Sequence, residues 1–265
     1  MVDDPVAETY ARLAPHYDAF TRGNDHGRWL RGLERLAQRH GLRGRTVLDV
    51  ACGTGRSLRP LVDLGYRGHG CDLSPAMLDI ARERLPGVEL SVADMRALPD
   101  LGRFDWITCL NDALNYLLGD DELAAALRAM ARLLRAGGVI TFDLNSLAEH
   151  RDGFEQTWVV EEPEAYLCWR GRGCASTPGH PGSADIDIFV RRGDTWVRDL
   201  SRHAQRWWSH DDVEAAAAAA GLRVVARHGQ TAGARLHDDA DEQRHRKIVY
   251  LLRHRDDHRP RGGAT

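Results

Sequence analysis

The chain of 265 residues carries only five cysteines, Cys52, Cys71, Cys109, Cys168 and Cys174, and no two form a C-x-x-C pair. Paired-cysteine metal and redox chemistry is therefore not expected, and thiols in or beside apolar stretches fit a reducing compartment. Thirteen histidines offer no H-x-x-x-H pair on a helical stretch, so no metal is expected either. No apolar run approaches the roughly 20 residues that a membrane span needs. The first residues, MVDDPVAETY, lack the basic and apolar regions of a secretion signal, and a cytoplasmic setting is the expectation. Charge of one sign is missing too: 39 acids and 36 bases are interspersed. That leaves no one-sided basic field for DNA or RNA, and favours a small-molecule substrate. The locally basic end RHRDDHRPRGGAT (253–265) also carries acids, Pro and Gly and reads as a flexible tail.

What the chain does have is alternation. Tyr10, Leu13, Ala14, Tyr17 and Phe20 recur at helical spacing over 7–20, and Trp29, Leu30, Leu33, Leu36 and Ala37 mark a second helix that Gly41 ends. Strands are expected at 46–50, 69–72, 88–92, 104–110 and 139–144. Ser74-Pro75 opens one intervening helix, and another runs over 121–135 until RAGG stops it. Continuous apolar strands alternating with helices predict an α/β fold, a parallel sheet covered on both faces. Over 156–208 the rhythm changes to antiparallel strands, interrupted by the Gly/Pro-rich loop 171–183. DDVEAAAAAAGL then reads as a helix capped by Asp211 and stopped by Gly221, and LRVVA and KIVYLL supply two closing strands.

The turn LDVACGTG, Leu48 to Gly55, joins the first strand to a helix, and Asp72 closes the second strand. Glycines there allow close backbone approach to a ligand, and an acid at the second strand end suits ribose hydroxyls. A nicotinamide site wants G-x-G-x-x-G, whereas Ala51-Cys52-Gly53-Thr54-Gly55-Arg56 lacks the third glycine. Asp49 at the mouth of the turn would repel a pyrophosphate and suit a cationic ligand, which disfavours a dinucleotide oxidoreductase. A cofactor-sensing module without catalysis remains a third reading of the same turn.

From residue 47 to 144, VLDVACGTG, CDLSPAML, VADMRALP, FDWITCLNDALNYL and RLLRAGGVITFDLN resemble, in order, the motifs of class I S-adenosylmethionine-dependent methyltransferases. The resemblance implies a Rossmann-like, seven-stranded, mostly parallel sheet with helices on both faces. It also implies an N-terminal helical lid (1–45), a cofactor-binding core (46–150 and 211–252) and an antiparallel insert (151–210) forming an acceptor pocket or a contact in a dimer. The implied cofactor is S-adenosyl-L-methionine, leaving as S-adenosyl-L-homocysteine. On this resemblance, Ala51, Gly53 and Gly55 cradle its methionine part with Asp49 near the ammonium. Asp72 holds the ribose, Leu73 and Met77 flank the adenine, Asp94 accepts its amine and the Met95 backbone meets the ring. Leu110, Tyr10 and Tyr17 join them. Asp94 also reads as a turn-capping acid, and Tyr17 as a core aromatic.

Tyr17-Asp18 and the insert make the chain similar to actinobacterial natural-product enzymes, especially amino-sugar N-methyltransferases. The implied activity is N-methylation of an amine such as an amino sugar in antibiotic biosynthesis, with O- or C-methylation of another scaffold as the alternative. Loops at strand ends carry the site in open α/β sheets, and LNDALNY is polar for such a segment. Tyr17, Asp112 and Tyr116 are the catalytic candidates. His16, Asn111, Asn115, Tyr116, Trp158, His203 and Arg206 are the acceptor-side candidates. Helix capping competes for Asn111 and Asp112, and plain packing for the insert aromatics and His203.

Overall fold

A computed structural model describes residues 5–23, 25–173 and 180–257. Cys174 and most of the C-terminal tail lie outside them. The N-terminal amphipathic stretch is not one helix: α1 (Pro5–Leu13) and α2 (Tyr17–Phe20) are separated by a 3-10 turn at Ala14–His16. Pro15 falls there, and its ring and missing N–H cannot continue an α ladder. Next comes α3 (His26–Arg39), whose first turn is capped by Asp25 accepting from Arg28 N at 2.9 Å.

The alternating segment follows as β1 (Thr46–Val50), α4 (Leu58–Asp63), β2 (Arg67–Asp72), α5 (Pro75–Arg84), β3 (Glu89–Val92), β4 (Phe104–Cys109), α6 (Glu122–Leu133) and β5 (Leu134–Asn145). Ser74 caps α5 as its sequence suggests, accepting from Met77 N. RAGG does not merely stop α6; it lies inside β5, whose pairing with β4 is irregular beside Phe104. Gly137 takes φ +80°, and a Cβ on Gly138 would stand 2.8 Å from the Asp105 carbonyl oxygen, so this bend needs glycine.

After α7 (Leu147–Gly153) come β6 (Thr157–Glu162), β7 (Ala165–Gly171), β8 (Pro181–Arg192) and β9 (Thr195–Arg206), a separate antiparallel sheet in that order. The next helix, α8 (His210–Ala219), is capped by Ser209 in a capping box with Asp212, so Asp211 is not the cap. The chain closes with β10 (Leu222–Thr231), β11 (Arg235–His237) and β12 (Lys247–His254). β12 runs past the expected start of the tail, and Gly137 N donates to the Asp257 carboxylate beyond it.

The main sheet has the order β11-β10-β12-β5-β4-β1-β2-β3, the seven expected strands plus the short edge strand β11. β3, β2, β1, β4 and β5 are parallel, while β12 is antiparallel to β5 and β10 to β12. Strand alternation divides the core. Leu48, Val50, Ile107, Ile140 and Phe142 pack with α6 and α8 residues, and Val47, Trp106, Val139 and Leu251 with α3 and α4 residues. Burying Trp106 alone removes a full aromatic from water, worth on the order of 3 kcal/mol. A smaller cluster of Leu13, Leu167, Ile186 and Ile188 ties the N-terminal segment to the insert sheet. Strand order reverses between β1 and β4, and a crevice opens at their C-terminal ends.

Candidate active site

Of the four non-glycine residues with left-handed backbone among the described residues, three flank this crevice: Ala51 (φ +55°) after β1, Asn111 (φ +60°) and Asp112 (φ +54°) after β4. Such conformations cost roughly 1–3 kcal/mol each and persist only where surroundings over-determine them. Here Asp72 and Asp143 do so. The Asp72 carboxylate accepts from Gly53 N and Ser74 N, both at 2.8 Å, and so fastens the glycine turn to the end of β2. Burial raises its pKa. The fully buried Asp143 accepts from Asn111 N at 2.7 Å and Asp112 N at 3.0 Å.

A cavity of about 950 Å³ out to its mouth lies over the glycine turn. Ala51, Gly53, Asp72, Leu73, Met77, Asp94, Met95, Leu110, Tyr10 and Tyr17 all line it, together with Thr54, Ser57, Arg56 and Arg96. The Asp72 carboxylate and an apolar slot of Leu73, Met77, Met95 and Leu110 form a lining suited to a ribose and a flat base. Asp94 is also the capping acid that its alternative reading foresaw: it accepts from Arg96 N at 2.8 Å and pairs with the Arg96 guanidinium at 2.7 Å. Burial works to raise its pKa, but Arg96 outweighs it and holds the carboxyl below the usual range.

Two expected cofactor residues are not on the wall. Asp49 is fully buried behind the turn, accepting from Ser57 Oγ at 2.6 Å and Thr108 Oγ1 at 2.7 Å. Burial pushes its pKa up to about 6 against those hydrogen bonds. It therefore shapes the turn from below and does not face a ligand. Gly55 also stands behind the wall, where a Cβ would come 2.6 Å from Leu85 Cδ1, so its glycine serves packing of α5 against the turn.

The N-terminal segment closes the cavity because Asp18 ties it down. Thr54 Oγ1 donates to Asp18 at 2.7 Å, Arg84 forms an ion pair with it, and Arg56 donates to Thr21 Oγ1 at 2.6 Å. Of the first 45 residues, most of α3 packs in the sheet's core, though His26 and Trp29 near its start reach the cavities, and the other wall residues lie between Val6 and Asp25.

A second cavity adjoins the first, and Tyr10, Tyr17, Asn111 and Tyr116 line both. Tyr116 Oη lies 2.7 Å from His203 Nδ1, His203 Nε2 is 2.9 Å from Ser201 Oγ, and Ser201 Oγ donates to the Thr9 carbonyl at 3.1 Å. A carbonyl only accepts, so the network assigns direction: Ser201 accepts from His203 Nε2–H, and Tyr116 donates to His203 Nδ1. Burial lowers the His203 pKa to about 4, leaving the imidazole neutral, and raises those of Tyr10, Tyr17 and Tyr116. Aromatic rings continue the wall: Phe20 stacks on Trp158 at 4.7 Å, and Trp158 on Trp169 at 5.9 Å.

Beneath the loop after β4, Lys247 Nζ donates to Asp112 at 2.6 Å and to Asp143 at 2.7 Å, and Gln205 Nε2 donates to the other Asp112 oxygen at 2.7 Å. Burial works against the Lys247 charge, but the two carboxylates outweigh it and raise its pKa. Asp112 thus lines the acceptor side with both oxygens engaged. Sequence reasoning missed Lys247, Gln205 and Asp143, whereas Trp169 is one of the insert aromatics expected either to wall a pocket or to pack. One signal was there: Lys247 is the sole lysine in the chain.

Three acceptor-side expectations are not met. Asn115 is fully buried, donating to the Arg206 carbonyl at 2.7 Å and accepting from Asn145 N at 3.0 Å. Arg206 is buried with its guanidinium 3.9 Å over the Trp208 ring and paired to Asp120. His16 lines neither cavity; burial and nearby Arg192 lower its pKa. All three are polar side chains absorbed by the scaffold. Away from the cavities, His237, Asp239 and His245 bring ligand-type atoms within 4.8 Å. Asp241 N–H occupies His245 Nδ1, and Arg244 pairs with Asp239, so a cation would compete with a guanidinium.

The sequence matches a family model described as a methyltransferase domain over residues 47–138. It is 30% identical over 221 residues to the dTDP-3-amino-3,4,6-trideoxy-alpha-D-glucopyranose N,N-dimethyltransferase of Streptomyces venezuelae, covering 82% of this chain and 92% of that relative. It is 37% identical over 141 residues to the dTDP-3-amino-3,6-dideoxy-alpha-D-glucopyranose N,N-dimethyltransferase of Streptomyces fradiae. That match covers 52% of this chain and only 55% of the relative, so the chain spans about half its length. Among solved structures, the amino pentose methyltransferase CalS10 of Micromonospora echinaspora, with S-adenosylmethionine bound, superposes at TM-score 0.70 with 25% identity, covering 89% and 95% of the two chains.

Proposed function

The chain belongs to the S-adenosylmethionine-dependent methyltransferases, and from that membership we propose that it methylates the nitrogen of a small-molecule amine such as an amino sugar, in natural-product biosynthesis. Relatives named for N,N-dimethylation of amino sugars support the reading. The observation that carries it is the tyrosine wall between the two cavities.

S-adenosylmethionine supplies a methyl carbon already activated by a positive sulfur. Alignment and desolvation of the nucleophile can then provide most of the acceleration. Tyr116 spends its proton on His203, so toward the cavity its oxygen can only accept. An amine N–H meeting that oxygen turns its lone pair elsewhere, and the wall fixes where. Hydroxyl methylation would need a base at the acceptor. His203 is a weak one with its pKa near 4, and Asp112 has both oxygens engaged by Lys247 and Gln205. An amine reaching the site neutral needs none, which favours nitrogen over oxygen.

Tyr116→Phe removes the accepting oxygen and leaves the ring. Its kcat for an amine acceptor is expected to fall roughly 10- to 100-fold, with S-adenosylhomocysteine affinity, measured by calorimetry, within about twofold of the parent. Equal losses in both would place Tyr116 with the cofactor and not the acceptor.

A further inference from the structure

The acceptor cavity is poor in available positive charge. Among the described residues, its lining contains three carboxylates, Asp25, Asp112 and Glu149, against two cations, Arg246 and Lys247. Both cations are taken: Glu149 holds the Arg246 guanidinium through two hydrogen bonds at 2.7 and 2.6 Å, and Asp112 and Asp143 hold Lys247. An incoming phosphate could reach either cation only by standing beside the carboxylate that already neutralises it. Neutral side chains such as Gln156, Gln230 and Thr231 share the wall with an aromatic face, on which Phe20, Trp158, Trp169 and Phe154 make a continuous series of ring contacts of 4.7, 5.9 and 5.6 Å. Ring faces of this kind attract ammonium groups and the apolar faces of sugar rings, and a net negative lining adds to that attraction.

We propose that this cavity takes its amine on a phosphate-free carrier, as a glycoside or an equivalent scaffold, and rejects a nucleoside diphosphate-linked sugar. The inference rests on the N-methyltransferase reading and narrows its substrate class. It separates this chain from the relatives whose substrates are named as dTDP-sugars. It also places the reaction after the step that transfers the sugar from its nucleotide, since that class of reaction would supply the phosphate-free amine.

Two measurements on the full chain saturated with S-adenosylhomocysteine or S-adenosylmethionine test it. Thymidine diphosphate titrated into the S-adenosylhomocysteine complex should show no saturable binding at millimolar concentration; binding in the micromolar range overturns the proposal. Glu149→Gln, which frees Arg246 and deletes one negative charge, should gain thymidine diphosphate affinity by roughly tenfold or more. A variant as refractory as the parent would show that Glu149 is not the repelling group, and would overturn the account. In turnover, the methyl glycoside of a 3-amino sugar should exceed the thymidine diphosphate ester of the same sugar in kcat/KM by about tenfold or more. Preference for the nucleotide-linked sugar contradicts the inference while leaving N-methylation standing. Methylation of neither contradicts the N-methyltransferase reading, and the binding arm still decides the charge argument.

Discussion

Asp72→Ala is expected to weaken S-adenosylhomocysteine binding by roughly 100-fold or more, a loss of about 3 kcal/mol. The carboxylate has two tasks that alanine cannot perform. It accepts backbone N–H bonds from Gly53 and Ser74, each at 2.8 Å, and so holds the turn in which Ala51 keeps its positive φ. It also lines the cavity over the glycine turn, where its oxygens could accept from the ribose hydroxyls of a bound cofactor. A charge-assisted hydrogen bond contributes roughly 1.5–3 kcal/mol, so losing even the ligand-facing share reaches the stated size. Calorimetry with S-adenosylhomocysteine reads the affinity, and circular dichroism separates lost binding from lost folding. Unchanged affinity would sink the assignment of this cavity to the cofactor.

Lys247→Met should produce the largest loss of stability from any single acceptor-side change, roughly 3–5 kcal/mol, lowering Tm on the order of 10 °C. Methionine matches the length of the chain but not its charge. Asp143 is fully buried, and Asp112 is largely so, leaving two carboxylates facing each other without a counter-ion. Asp143 also fixes the strained backbone at Asn111 and Asp112, so turnover should fall with stability. Adding Asp112→Asn removes one of the stranded charges and should restore part of the Tm. A Lys247→Met protein melting with the parent would mean that the pairs contribute nothing to the fold.

The lining of the cavity over the glycine turn was legible because its residues are local in sequence. Each strand of the parallel half ends in a loop at the same edge of the sheet, so the single stretch from Asp72 to Met95 delivers Asp72, Leu73, Met77, Asp94 and Met95 there, and the alternation rule identifies that edge. Asp49 misled because a polar residue at a strand end reads the same whether it faces a ligand or a buried hydroxyl pair; only Ser57 and Thr108 decide it. Asn115 and Arg206 misled for the same reason, each satisfied by backbone groups far along the chain. The acceptor half was mostly hidden. Its lock joins Asp112, Gln205 and Lys247 across 135 residues, through the antiparallel pairing of β12 with β5 and the docking of the insert sheet. Periodicity predicts those strands without saying what they meet. Tyr116 was foreseen and its His203 partner was foreseen separately, but their contact at 2.7 Å is a tertiary fact.

The most direct test of nitrogen methylation is to incubate the protein with S-adenosylmethionine carrying an isotopically labelled methyl group and a 3-amino sugar glycoside, then locate the label by NMR. The account predicts label on the amine nitrogen, with S-adenosylhomocysteine formed in equal amount. Label on oxygen or carbon, or S-adenosylhomocysteine no higher than without the amine across a panel of amino sugars and amine-bearing scaffolds, would contradict it.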